Sequence, residues 1–173
     1  MEKIISQIRK WEIASFLFVA AVGTLLHFTY AWSGENVVAG IFSAVSESTW
    51  EHLKLLFMPA LLFSVVETFM LGKYSNCVLG IKAEAVLLGM ALIVISYYTY
   101  SGVLGRNIMW VDIALFYIGD LAMTLYSYMR LKKAFFQKQT CGWLWGIVIW
   151  IGIFVLFAVF TYTPPELGIF AKP

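Results

Sequence analysis

Charge is what this chain most lacks. Only 13% of its 173 residues are Asp, Glu, Lys or Arg, where a soluble domain carries about 25%. The few charges stand in short clusters between long apolar runs. The net charge of +2 is too small to suggest a nucleic-acid partner. Histidine is scarce too, with only His27 and His52. No H-E-x-x-H, C-x-x-C, nucleophile elbow or phosphate loop occurs, so the chemistries tied to those motifs lose their main sequence support. No linker, repeat or low-complexity tract divides the chain, and one domain over residues 1–173 is expected.

What is abundant is apolar: 61% hydrophobic and 17% aromatic residues, with a mean hydropathy of +0.83. A bilayer-spanning helix needs about 20 apolar residues. Stretches 11–31, 49–71, 77–99, 107–129 and 142–162 qualify, which predicts an all-α integral membrane protein with five transmembrane helices. The run at 37–45 is apolar but too short to span. It is compatible with a re-entrant or interfacial piece in the loop between the first two spans, provided protein or water satisfies its backbone. Lys3, Arg9 and Lys10, then Lys73, then Arg130, Lys132, Lys133 and Lys138 lie on one side. Arg106, Lys172 and Lys54, at the mouth of the second helix, lie on the other. The positive-inside bias puts the N-terminus in the cytoplasm and the C-terminus outside. Cys77 and Cys141 then fall at cytoplasmic edges, where separate, reduced, inert thiols are expected.

The outer loop concentrates what polarity the chain has. Residues 27–54 hold both histidines together with Glu35, Glu47 and Glu51. His27 ends the first span and His52 opens the second, so both sit at similar depth. Glu47 and Glu51 are one turn apart, and Asp112 enters the fourth helix at comparable depth. Two imidazoles with carboxylates suit Zn, Mn or Fe. Glu47 or Glu51 could act as general base on a metal-bound water. Tyr30, Tyr97, Tyr100 and Tyr162 fall near the same level. The competing structural reading is that Glu51 only caps its helix, His52 bonds a loop carbonyl and His27 closes its own helix end. Consecutive Glu51-His52 point in two directions on a helix, which weighs against both serving one ion. A bis-histidine haem is disfavoured by the bulky neighbours Leu26, Phe28 and Leu53. Ser48 and His52, four apart, form a weak Ser–His signal without the later histidines that ceramidase-type zinc hydrolases supply.

Ser48-Thr49-Trp50-Glu51 reads as a reciprocal capping box, and Pro59 should free a carbonyl one turn earlier. An inner polar group is expected from Glu67, Lys82, Glu84 and Asp120, with Lys82 pairing to Glu67 or Asp120. It is either a structural ion pair or part of a proton or cation path. Trp11, Trp32, Trp50, Trp110, Trp143 and Tyr162 read as interfacial aromatic belts. Gly142, Gly146 and Gly152 read as helix-packing positions. Thr163-Pro164-Pro165 ends the last helix, and residues 166–173 are expected to be extended.

The strings L-H-F-T-Y-A-W-S-G-E-N, I-F-S-A-V-S-E-S-T-W-E-H-L-K-L-L-F-M-P and F-T-Y-T-P-P-E-L-G-I-F resemble a family of small membrane proteins, mostly of clostridia-like Firmicutes, catalogued as a domain of unknown function. The likeness runs over nearly the whole chain, departing from the family at Ser46 and Lys172. It implies a multi-pass protein of the bacterial plasma membrane and says nothing of substrate. The residues themselves lead to an outward-facing pocket of His27, Glu47, Glu51, His52 and Asp112 for a small cationic ligand or metal ion, bound or transported. A metal-dependent membrane hydrolase, or a structural subunit of an oligomer or a partner membrane protein, are the alternatives.

Overall fold

The computed structural model describes residues 2–137, 141 and 143–171. Six α-helices follow one another: α1 (Glu2–Trp32), α2 (Val37–Phe42), α3 (Thr49–Leu71), α4 (Val78–Leu104), α5 (Met109–Gln137) and α6 (Trp143–Tyr162), with a final 3-10 turn at Gly168–Phe170. All but α2 are long and apolar enough to cross a membrane, so the all-α, five-span reading holds. Exposed Leu, Ile, Val and Phe side chains coat these helices, which suits lipid as the surrounding solvent. Lys138, Gly142 and Lys172 lie outside the described residues.

Several helices outrun their apolar stretches. α1 begins at Glu2 and α5 continues to Gln137. Hydropathy marks only what sits in hydrocarbon, while a helix runs on until a breaker stops it. Arg130, Lys132 and Lys133 therefore sit on the last turns of α5 rather than in a loop.

α1, α3, α4 and α5 form a closed ring, and α6 packs outside it against α4 and α3. The main core lies between α3 and α4, with Leu56, Phe57, Ala83 and Val86, and extends to Met123 of α5 and to Trp150 and Phe157 of α6. α6 can lie close because Gly146 backs onto Gly80, where a Cβ would stand 2.8 Å from that residue's backbone N and Cα. Gly152 has open space around it, so it does not serve packing as expected. Pro59 leaves the Leu55 carbonyl without its helical N–H donor, and Gly23 of α1 closes directly on that oxygen.

Three local expectations change. Ser48 does accept from the Glu51 N–H at 3.4 Å, but the Glu51 carboxylate does not return to Ser48. It accepts instead from the Val45 N–H at 2.9 Å, while Ser46 Oγ takes the Ser48 N–H. The tail is not wholly extended: Phe170 packs against Trp50 and edge-on against Phe160, so Trp50 is an internal anchor rather than a belt residue. Cys77 and Cys141 are not separate thiols. They form a disulfide with Cα atoms 4.9 Å apart, because the close α4–α6 contact brings the starts of both helices together.

Candidate functional site

The turn after α1 sets the geometry of the outer end. Gly34 takes a positive φ of 68°, which glycine adopts without steric cost, and the chain folds back into α2. Asn36 caps α2 by accepting from the N–H groups of Val38 and Ala39. Its backbone is then tied to the bundle. Tyr162 donates to the Val37 carbonyl, Lys54 Nζ donates to the Gly40 carbonyl at 2.8 Å, and Ser43 Oγ donates to the Leu26 carbonyl. The short apolar run is thus a capped helix with part of its backbone bonded to α3 and α6.

The loop from Ser43 to Ser48 then delivers Glu47 beside both imidazoles. One ligand atom each from His27, Glu47 and His52 lie within 4.8 Å of one another. The His rings are 5.2 Å apart between centroids. His52 Nδ1 is 2.9 Å from the Ser48 carbonyl. A carbonyl can only accept, so Nδ1 carries the proton and Nε2 is left as a donor atom for a metal. That Nε2 lies 3.4 Å from Glu47 Oε2. The bond to a loop carbonyl that the structural reading anticipated is therefore the same one that presents His52 as a ligand. Ser48 contributes its carbonyl, not its hydroxyl, to this contact, so there is no Ser–His nucleophile pair.

Glu51 is not part of this group. It is buried on a different face of α3 from His52, with Lys54 Nζ 2.6 Å from Oε2 and the Thr161 hydroxyl 3.1 Å from Oε1. Glu47 precedes the helix, so the two carboxylates do not share a helical face. Lys54 is fully buried and belongs to that internal pair rather than to a charged mouth.

The three clustered residues border a cavity of about 760 Å³ that is also lined by Tyr97 and Asp112. Tyr100 donates to Asp112 Oδ1. One helical turn below each polar residue stands an apolar or side-chain-free one: Gly23 below His27, Leu55 below His52, Ile93 below Tyr97 and Phe116 below Asp112. A Cβ on Gly23 would stand 2.7 Å from the Phe116 ring, so α1 and α5 are in close contact at this level. The cavity is polar at its rim and apolar at its floor. Tyr30 and Tyr162 face the α2 side instead: the Tyr30 ring and the Tyr162 hydroxyl both lie against Gly40, and that hydroxyl donates to the Val37 carbonyl.

The inner group forms with one more member than expected. Lys82 Nζ is 2.7 Å from Glu67 Oε2 and 2.9 Å from Glu12 Oε1. Ser127 donates to the same Glu12 oxygen at 2.6 Å. Glu12 was legible as a lone carboxylate inside the first apolar run, yet periodicity cannot say which neighbour it meets. Asp120 does not bond Lys82, and neither of its oxygens has a partner among the described residues. Glu84 leaves the group for Arg130 and Tyr126 on the outside.

No curated protein and no solved structure matches the chain. A family model does, over residues 1–173, which is the full span of the motifs that build the outer loop, the capped start of α3 and the end of α6. The chain belongs to the family described as "Family of unknown function (DUF6512)".

Proposed function

We propose that this is a bacterial plasma-membrane protein that binds a divalent transition metal at its extracytoplasmic face through His27, Glu47 and His52. The carrying observation is the convergence of two imidazoles and a carboxylate within 4.8 Å, with His52 locked in the ligating tautomer by the Ser48 carbonyl. An N2O donor set suits Zn, Mn or Fe. The cavity floor supports binding over transport, because Glu67, Lys82 and Asp120 do not line it. The outward orientation rests on the basic residues. It is opposed by the Cys77–Cys141 disulfide on the basic side, since cytoplasmic disulfides are rare. Charge bias acts while the helices insert, before the two cysteines can meet, and so sets the orientation first.

A second reading is favoured by the room beside the ligands. Three protein donors leave a coordination position open, as in catalytic zinc sites. The adjoining cavity presents Asp112 as a carboxylate held by Tyr100. In that reading Asp112, not Glu51, is the free base.

Elemental analysis of purified protein tests the metal. Stoichiometric Zn, Mn or Fe is expected in the wild type, with loss in His27→Ala, His52→Ala and Glu47→Gln and retention in Glu35→Gln, an exposed acid of the same loop outside the cluster. Equal metal content in the wild type and both histidine variants would end the proposal.

A further inference from the structure

The buried face of α5 carries a file of oxygens that the outer site does not use. Asp120, Thr124 and Ser127 lie at spacings of four and three, so they share one helical stripe. All three are buried, Asp120 and Ser127 completely. Ser127 joins the file to Glu12, Lys82 and Glu67 at its inner end. At a rise of about 1.5 Å per residue, Asp120 stands about 10 Å further along α5 than Ser127, and about 12 Å short of Asp112 at the outer cavity. It is a midway station.

The charge balance of this file is incomplete. Three carboxyl groups, Glu12, Glu67 and Asp120, face one ammonium, Lys82. Several of their oxygens have no hydrogen-bond partner among the described residues: Glu12 Oε2, Glu67 Oε1, both oxygens of Asp120 and Thr124 Oγ1. An ionised carboxylate in an apolar interior with no donor is very costly. Something cationic must visit it. A metal ion would need several donors converging on one point. Among the described residues only His27, Glu47 and His52 bring three such ligand atoms within 4.8 Å. A proton needs a single carboxylate.

We propose that Asp120 is a buried proton-binding site, set on the stripe Asp120–Thr124–Ser127 about 10 Å along α5 from the Ser127 that bonds the Glu12–Lys82–Glu67 group. Taking up a proton converts the carboxylate to the neutral acid, and releasing it restores the carboxylate. The groups that tune it are Glu12 from α1, Glu67 from α3 and Lys82 from α4; α6 contributes no charged residue. The proposal stands independently of the metal at the outer site.

Infrared spectroscopy of the full chain in lipid nanodiscs tests it. The expected result is a carboxylic-acid C=O band at neutral pH that shifts in D2O, fades as the pH is raised, disappears in Asp120→Asn and persists in Asp112→Asn. An unchanged band in Asp120→Asn, or no acid band in the wild type, overturns it. Loss of the band on adding sodium at fixed pH would assign the site to a metal cation and overturn it as well. Should Asp120→Asn not fold, labelling of wild-type protein with dicyclohexylcarbodiimide, which attacks protonated carboxyls, gives the same decision. Modification concentrated on Asp120 and suppressed at alkaline pH supports the site, and an unmodified Asp120 refutes it.

Discussion

Lys54 shows how a lone charge is accommodated inside an apolar bundle. Its three ammonium protons meet three acceptors: Glu51 Oε2 at 2.6 Å, the Gly40 carbonyl at 2.8 Å and Thr161 Oγ1 at 2.9 Å. One side chain thereby ties α3 to α2 and α6, and so fixes the base of the loop that carries Glu47. Removing one partner of such a pair leaves the other charge buried and costs about 3–5 kcal/mol. Lys54→Met should therefore lower the thermal midpoint in detergent sharply. The double variant Lys54→Met/Glu51→Gln should recover much of the loss, because no charge is then stranded. Arg130→Met, which breaks a half-exposed pair with Glu84, should cost under about 1 kcal/mol. Similar losses in Lys54→Met and Arg130→Met would show that burial does not set the difference. The one-letter string sets Lys54 three residues after Glu51 and Arg130 in a basic run with no acid near it, but it does not give the burial of either. Exposure sets the difference in cost, and exposure is decided by which helices close over each residue.

At the scale of elements, small residues decide how near the helices come. The contact of α6 with α4 passes through Gly146 and Gly80, backbone against backbone, with no flexible side chain able to give way. Gly146→Ala should force the two helices apart and destabilise by about 1–3 kcal/mol. Gly152→Ala, with nothing within 4 Å, should be neutral or stabilising by up to about 1 kcal/mol through helix propensity. Opposite signs for two glycines six residues apart on one helix are the expected outcome in a thermal-shift measurement. Equal losses would mean that α6 packs elsewhere. The start of α3 makes a related point. Its S-x-x-E spelling announces a cap, and the Ser48 half is there. The Glu51 half is taken by a tertiary partner because the Lys54 ammonium and the Val45 N–H offer a buried carboxylate more than the Ser48 N–H does.

For the whole molecule the open choice is which compartment each end of the bundle faces. The basic residues and the Cys77–Cys141 bond lie at the same end and point to opposite compartments. With the N-terminus inside, a membrane-impermeant maleimide should not label either cysteine in intact cells, even after an impermeant reductant. It should label both once the membrane is permeabilised and the protein reduced. Labelling in intact cells after reduction alone would invert the orientation and turn the His27–Glu47–His52 site toward the cytoplasm, leaving its metal chemistry intact.

The sequence by itself determined the solvent, the helical class and the existence of five spans, because hydropathy over about 20 residues is a local property of the chain. It also determined that polar groups gather in two layers, since depth along a helix is simply residue number. Which members of each layer touch was decided only by the tertiary structure. His27 and His52 meet because α1 and α3 are neighbours in the ring, and Glu47 joins them because a loop, not a helix face, aims it. Glu51 is drawn away by Lys54, Glu12 enters the inner group from α1, and the two cysteines meet across the α4–α6 contact. Each of these depends on the rotation of one helix about its axis relative to another. That rotation is set by packing against neighbours distant in the chain, and no local pattern of residues encodes it.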